Sequence, residues 1–262
     1  MEWHERWLWL GGSLLAGVLW ANLAWFFRPP LPGTEDRVFL TRLRARVGRL
    51  SAWRFSFWLL QVLRLSYYVG LPVAALLLGH DAIVEKFLGL KFSLGLAVEG
   101  AGIAADTWLD WAHGLGWAVT LGVGAWALLA LGWWAYRRAL TAAGANDSLV
   151  AARSAWGWLL LREAIYHEIH WAFYRNAFIA VWNEYWGVWS GLALVGLEAT
   201  LNPAWRAGLF DPQKAPVQLM RGALAVVSGV LFLLTQNLWL AIVVHWGVSW
   251  GLAALANVRR ET

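Results

Sequence analysis

Long apolar runs alternate with short polar breaks along almost the whole chain. A membrane-spanning helix needs about 20 mostly apolar residues. Runs of that kind lie at 7–27, 55–79, 117–136, 155–181, 185–202, 222–236 and 237–256. Only Thr235-Gln236-Asn237 separates the last two, which predicts a tight helical hairpin. The stretch 81–116 breaks the pattern. It holds Asp81, Glu85, Lys86, Lys91, Glu99, Asp106 and Asp110, and Gly95, Gly100 and Gly102 loosen it. It reads as an interfacial or re-entrant segment rather than a clean span. Met1–Trp20 has Glu2 and Glu5 where a signal peptide is positive, and no small-residue cleavage site precedes a soluble domain. It is therefore expected to persist as the first helix. The pattern predicts an all-α polytopic transmembrane bundle of about seven spans, forming one integral membrane domain over 1–262.

Composition narrows the class. Hydrophobic residues make up 60% of the chain and charged residues 14%, too few charges to cover a soluble surface. So much apolar surface excludes a disordered chain. The absence of Cys excludes a disulfide scaffold and a thiolate metal site. The net charge is +5, but the Arg residues lie between apolar runs rather than on one face, which argues against nucleic acid as a partner. Membrane lipid is the expected partner. Only three of the 21 basic residues are Lys, a bias that points to a GC-rich prokaryote and hence to its plasma membrane.

Positive charge orients the spans, because cytoplasmic loops collect Lys and Arg. Loop 28–54 carries seven Arg: Arg28, Arg37, Arg42, Arg44, Arg46, Arg49 and Arg54. Arg137, Arg138, Arg153, Arg206, Lys214, Arg221, Arg259 and Arg260 fall on the same side, giving fifteen against Arg6, Lys86 and Lys91. The expected topology has the N-terminus outside and the C-terminus in the cytoplasm. Many of the 23 Trp lie near span ends, where the ring is buried and its N–H meets water. No internal repeat or nucleotide-binding Gly motif is evident, and Gly122-Val123-Gly124 reads as packing.

The chemistry concentrates in two of the runs. Leu159–Phe178 is apolar enough to insert, yet holds Arg162, Glu163, His167, Glu168, His170 and Arg175. Ionisable groups at membrane depth are costly and mark function or buried pairing. Glu163, His167 and His170 stand at i, i+4 and i+7 and share one helix face, which Tyr174 continues. Glu168 points about 100° past His167. A carboxylate with two imidazoles suits a divalent metal such as zinc, or else a satisfied polar network. The second place is the last span, with His245 at its middle and Ser249 one turn on. Glu163, His167 and His170 are expected to face the bundle interior and approach His245. Arg175 should pair with Glu168 or Glu184.

The final hairpin has Gly229, the Thr235-Gln236-Asn237 break, the run Leu238-Trp239-Leu240-Ala241-Ile242, then His245 with Ser249 four residues on. Together with Phe173-Tyr174-Arg175, this resembles the CPBP intramembrane protease family. That family includes the type II CAAX prenyl endopeptidases and bacteriocin-processing proteins. The resemblance covers roughly 155–256. Aligned on Arg175, His170 and Trp171 stand where the family has its two Glu. Ser249 stands at the family's Asn, and Glu198 is the ionisable residue in the region of its second motif.

The resemblance implies an intramembrane metal-dependent endopeptidase acting on a membrane-associated or prenylated peptide. Glu163 or Glu168 would serve as general base with His245 as the third catalytic residue. His167, His170 and His245 would be the metal ligands, and zinc the cofactor. Arg175, Ser249 and Glu198 would be structural. The competing expectation is a catalytically inactive relative, acting as a scaffold or accessory subunit of a membrane complex that binds lipid or pigment.

Overall fold

The structure is a computed structural model that describes residues 3–27, 56–78, 105–144 and 157–258. The seven-Arg loop, residues 79–104, Arg153 and the two terminal Arg lie outside the described residues. The helices are α1 (Trp3–Phe26), α2 (Ser56–Leu65), a π-helical turn (Ser66–Gly70), α3 (Leu71–Leu77), α4 (Ala105–Ala142) and α5 (Gly157–Ile179). They continue with α6 (Glu184–Leu201), α7 (Pro203–Leu209), α8 (Ala215–Thr235) and α9 (Leu238–Val258). No strand occurs among the described residues.

Every apolar run folds as helix. Among the described residues, four stretches are long and apolar enough to cross a membrane: Trp7–Phe26, Trp111–Ala142, Ala215–Thr235 and Leu238–Leu255. The all-helical expectation thus holds among the described residues, while the expected seven spans are not confirmed. The π turn divides 56–77, α5 carries too many ionisable groups, and α6, with Glu184, Glu198 and two Trp in its 18 residues, is less apolar.

The reading of 81–116 needs correction over its described part. Residues 105–116 are not a separate interfacial segment but the first turns of α4, which is 38 residues long. At 1.5 Å per residue α4 is about 57 Å long, well over a hydrocarbon core of roughly 30 Å, so a polar start is tolerated.

Local chemistry sets the breaks. The Asn183 side chain caps α6 by accepting from the Trp186 N–H at 3.0 Å. Asn202 caps α7, where Pro203 needs no N–H partner. Between α8 and α9, Gln236 is left-handed at φ 50°. Asn237 accepts from the Trp239 and Leu240 N–H groups at 2.9 and 3.2 Å. The Gln236 amide donates to Glu184, tying the hairpin tip to the start of α6. In the π turn, the Leu71 N–H reaches the Ser66 carbonyl, five residues back, just before Pro72.

Contact registers fix the helix directions. Gly187 lies on Ile179 and Gly191 on Arg175, while His170 meets Glu198, so α5 and α6 are antiparallel. Trp246 reaches the Gly157 carbonyl and His245 reaches Glu168, so α9 is antiparallel to α5. Gly114 faces Leu240 and Gly251 faces Trp126, so α4 runs parallel to α9. Gly229 meets Val188 and Gln236 meets Glu184, which sets α8 antiparallel to α6. Gln61, Arg64 and Tyr67 meet Arg162, Glu163 and His170 in order, making α2 parallel to α5. Trp7 packs on Phe178 and Gly17 lies by Glu198, so α1 is antiparallel to α5. The seven principal segments therefore alternate in direction. At one end α1 starts and the α5–α6 and α8–α9 links sit; at the other, α9 finishes.

The exterior is apolar, with Leu8 and Leu128 each 72% exposed and Trp58 66%. Continuous exposed hydrocarbon of this kind belongs against lipid. Trp182, Trp186 and Trp239 are exposed at one end, and Trp58, Trp134, Trp158 and Trp250 toward the other. The fold is that of an integral membrane protein. Inside, α5 is the hub: residues 171–177 are all buried. Close approach of α5 and α6 rests on glycine, since a Cβ on Gly191 would stand 2.7 Å from the Arg175 Cα.

Candidate functional site

Three polar groups surround α5. The deepest is built on Glu168, which is fully buried. Its Oε1 accepts from the His245 Nδ1–H at 2.9 Å, and its Oε2 accepts from the Ser228 hydroxyl. Ser228 Oγ in turn accepts from the Arg175 guanidinium at 2.9 Å. Arg175 stands 4.0 Å from Glu168 Oε2 and lies over the Phe232 ring, its carbon 4.7 Å from the centroid. One carboxylate thus joins α5, α8 and α9. Arg175 pairs with Glu168 as expected; Glu184 is taken up by Gln236 instead.

His167 lies beside this group. Its ring is 5.8 Å from that of His245 and nearly parallel to it, and Trp171 packs on both. The His167 Nδ1–H donates to the Glu163 carbonyl at 2.8 Å. Both histidines therefore have Nδ1 engaged by an oxygen, which leaves Nε2 as the lone-pair atom of each. An outer acceptor on the far nitrogen is how proteins fix the tautomer and aim of a working imidazole.

The second group holds His170. Its Nε2–H donates to Glu198 at 3.0 Å, and the Tyr67 hydroxyl donates to the other Glu198 oxygen at 3.1 Å. The rings of Tyr67, Tyr68 and Tyr174 enclose the imidazole, with centroids 4.4 to 5.2 Å away. The third group holds Glu163 between Arg64 and Arg162, the latter at 3.1 Å. Arg162 also donates to Gln61 at 3.2 Å, and both arginines lie against Tyr166.

The shared face of Glu163, His167 and His170 therefore does not meet His245 as one unit. Only His167 approaches it. Glu163 turns to α2 and His170 to α6, while Glu168, off that face, makes the contact with His245. The cause is that α5 has neighbours all round, so each face has its own interior. Ser249 is buried one turn beyond His245 and does not join the Glu168 network. Glu198 holds His170.

Ser228, Tyr67 and Tyr68 were not singled out by the sequence. Ser228 sits in an apolar run beside Gly229, where a small residue reads as packing. The tyrosines lie in the π turn, and a proline shortly downstream was the one signal of irregularity there.

Among the described residues, no group of three or more His, Asp or Glu is placed to hold a metal ion. His167 and His245 offer two nitrogen donors side by side, against the three protein ligands of a catalytic zinc site. Comparison of the chain with family models, with curated proteins and with solved structures finds no match.

Proposed function

We propose that this chain is an intramembrane endopeptidase of the CAAX-protease-like kind, cleaving a membrane-associated or prenylated peptide around His245. The observation that carries this reading is the hydrogen bond between Glu168 and His245 inside an apolar bundle. In this reading Glu168 is the orienting group, because both its oxygens are already engaged. His245 Nε2 is the general base that takes a proton from water. Arg175, through Ser228, balances the carboxylate as positive charge develops on the imidazole. His167 lies alongside as a second imidazole able to pass on the proton. The chemistry uses no metal step; zinc belongs to this reading only through the Nε2 atoms of His167 and His245.

The same reading takes all seven alternating segments as spans. Among the described residues, Arg137, Arg138, Arg206, Lys214 and Arg221 sit toward the same end of the bundle, and the positive-inside tendency supports taking that end as cytoplasmic. The two sets of exposed Trp support the same embedding.

A second reading is a catalytically inactive relative that holds membrane partners together. It is favoured by the engagement of Glu168, whose two oxygens are both taken by protein partners. The void lined by Trp171, Arg175, Gly191 and their neighbours is about 10 Å³, room for one water at most. The test is cleavage of quenched fluorescent peptides, with and without a farnesyl group, by the purified chain in proteoliposomes. Cleavage lost in Glu168→Gln and His245→Ala, with melting temperatures still measurable, supports the protease. No cleavage by the unaltered chain, with both variants destabilised, supports the scaffold. Zinc analysis of the same preparations belongs to the experiment: one zinc per chain, lost in His245→Ala, would add the metal to the mechanism.

A further inference from the structure

We propose that a groove between the C-terminal halves of α4 and α9 is a binding site for an anionic phospholipid. The groove has a volume of about 220 Å³ and is lined by Ala130, Trp133, Trp134, Arg137, Arg138, Thr141 and Leu255. Its composition is graded along the helix axis. Arg137, Arg138 and Thr141 stand at the C-terminal end of α4, the end at which the α7–α8 link also lies. Ala130 and Trp133 stand one to three turns deeper, with Leu255 of α9 closing the wall. Thr141 and Ala130 are eleven residues apart, about 16 Å along α4. That is the separation needed to take a phosphate at one end and the first part of an acyl chain at the other.

The cationic end is preorganised. The Arg138 guanidinium lies over the Trp134 ring, 5.1 Å from its centroid, and has no carboxylate partner among the described residues. Trp133 stacks against Tyr136, whose hydroxyl donates to the Pro212 carbonyl at 2.7 Å, pinning this end of α4 to the α7–α8 link. A guanidinium held flat on an indole keeps its N–H edge free for phosphate oxygens. A zwitterionic headgroup would bring its own cation up against the Arg138 guanidinium. The geometry therefore selects a lipid with net negative charge, and the groove is independent of the chemistry at Glu168 and His245.

The test is native mass spectrometry of the purified chain released from detergent, with phosphatidylglycerol and phosphatidylcholine as probes. Phosphatidylglycerol should be retained in preference to phosphatidylcholine. Arg138→Ala should weaken retention about fivefold, the effect of one basic residue at an anionic surface. Trp133→Ala should weaken both lipids, since it removes the apolar wall. Arg206→Ala, an exposed arginine at the same end but outside the groove, should change retention less than twofold. Millimolar glycerol 1-phosphate should fail to displace the lipid; displacement would mean a site for soluble phosphate and would overturn the proposal. Equal losses from Arg206→Ala and Arg138→Ala would overturn it too, by reducing the preference to diffuse surface charge.

Discussion

Glu168 shows how one residue can be decisive and yet hard to see in a sequence. Helical spacing groups Glu163 with His167 and His170 and sets Glu168 apart. That inference assumes a helix with one inner face. Residues 171–177 of α5 are buried all round, so the assumption fails there and the carboxylate off the face is the deepest. What spacing does show is that charges in an apolar helix must be paired, and each of Glu163, Glu168, His170 and Arg175 is. Which partner each takes depends on Ser228, Glu198 and Arg64, which lie on distant helices and leave no periodic trace. Glu168→Ala would leave Arg175 buried without its counter-charge and should cost about 3–5 kcal/mol. The double change Glu168→Leu with Arg175→Met should recover most of that loss. Thermal melting in detergent measures both, and a double variant no more stable than the single one would refute the pairing.

Helices were more legible than their partners. The seven apolar runs fold as helix, five of them within a few residues of the expected limits, while α4 starts twelve residues early and α8 seven, because insertion leaves the backbone no alternative to internal hydrogen bonding. The Thr235-Gln236-Asn237 hairpin followed from its own polar break. The start of α4 did not, because its charges resembled those of an interfacial segment. At this scale the α5–α6 contact gives a sharp expectation. Gly191→Ala would drive a methyl into the Arg175 backbone and should cost about 1–3 kcal/mol. On the same helix Gly196 has nothing within 4 Å of an added Cβ. Gly196→Ala should instead gain about 0.5–1 kcal/mol through helix propensity. Opposite shifts in melting temperature are the expected readout.

The link after α7 offers a titration. Asp211 accepts from the Gln213 N–H at 2.9 Å and pairs with Lys214, which holds its carboxyl below the usual range. The folded form therefore favours the ionised carboxylate. Its contribution is complete above the ordinary carboxylate range and disappears as pH falls through the lowered value. Exchange protection of the Lys214 and Ala215 amides, both bonded to the Asp211 carbonyl, should hold from neutrality down to about pH 4 and decline only below it.

For the whole molecule, an odd number of alternating segments puts the two termini at opposite ends. With no native Cys to interfere, single reporters can test this. Phe210→Cys in the α7–α8 link, where the native side chain is 89% exposed, should resist a membrane-impermeant thiol reagent added to intact cells. Trp182→Cys in the α5–α6 link should react. Equal labelling at both positions would overturn the orientation.

The central place of α5 also sets a timetable for biogenesis. A ribosome delivers α1, α2–α3 and α4 before their main partners exist: α1 packs on α5, α6 and α7, the α2–α3 segment on α5, and α4 on α8 and α9. Until translation reaches the second half, these early helices must wait in lipid with little to hold them to one another. Arg64 would wait there without Glu163, a guanidinium in hydrocarbon with no counter-charge. Nascent chains truncated before residue 157 should therefore be prime targets for membrane quality control.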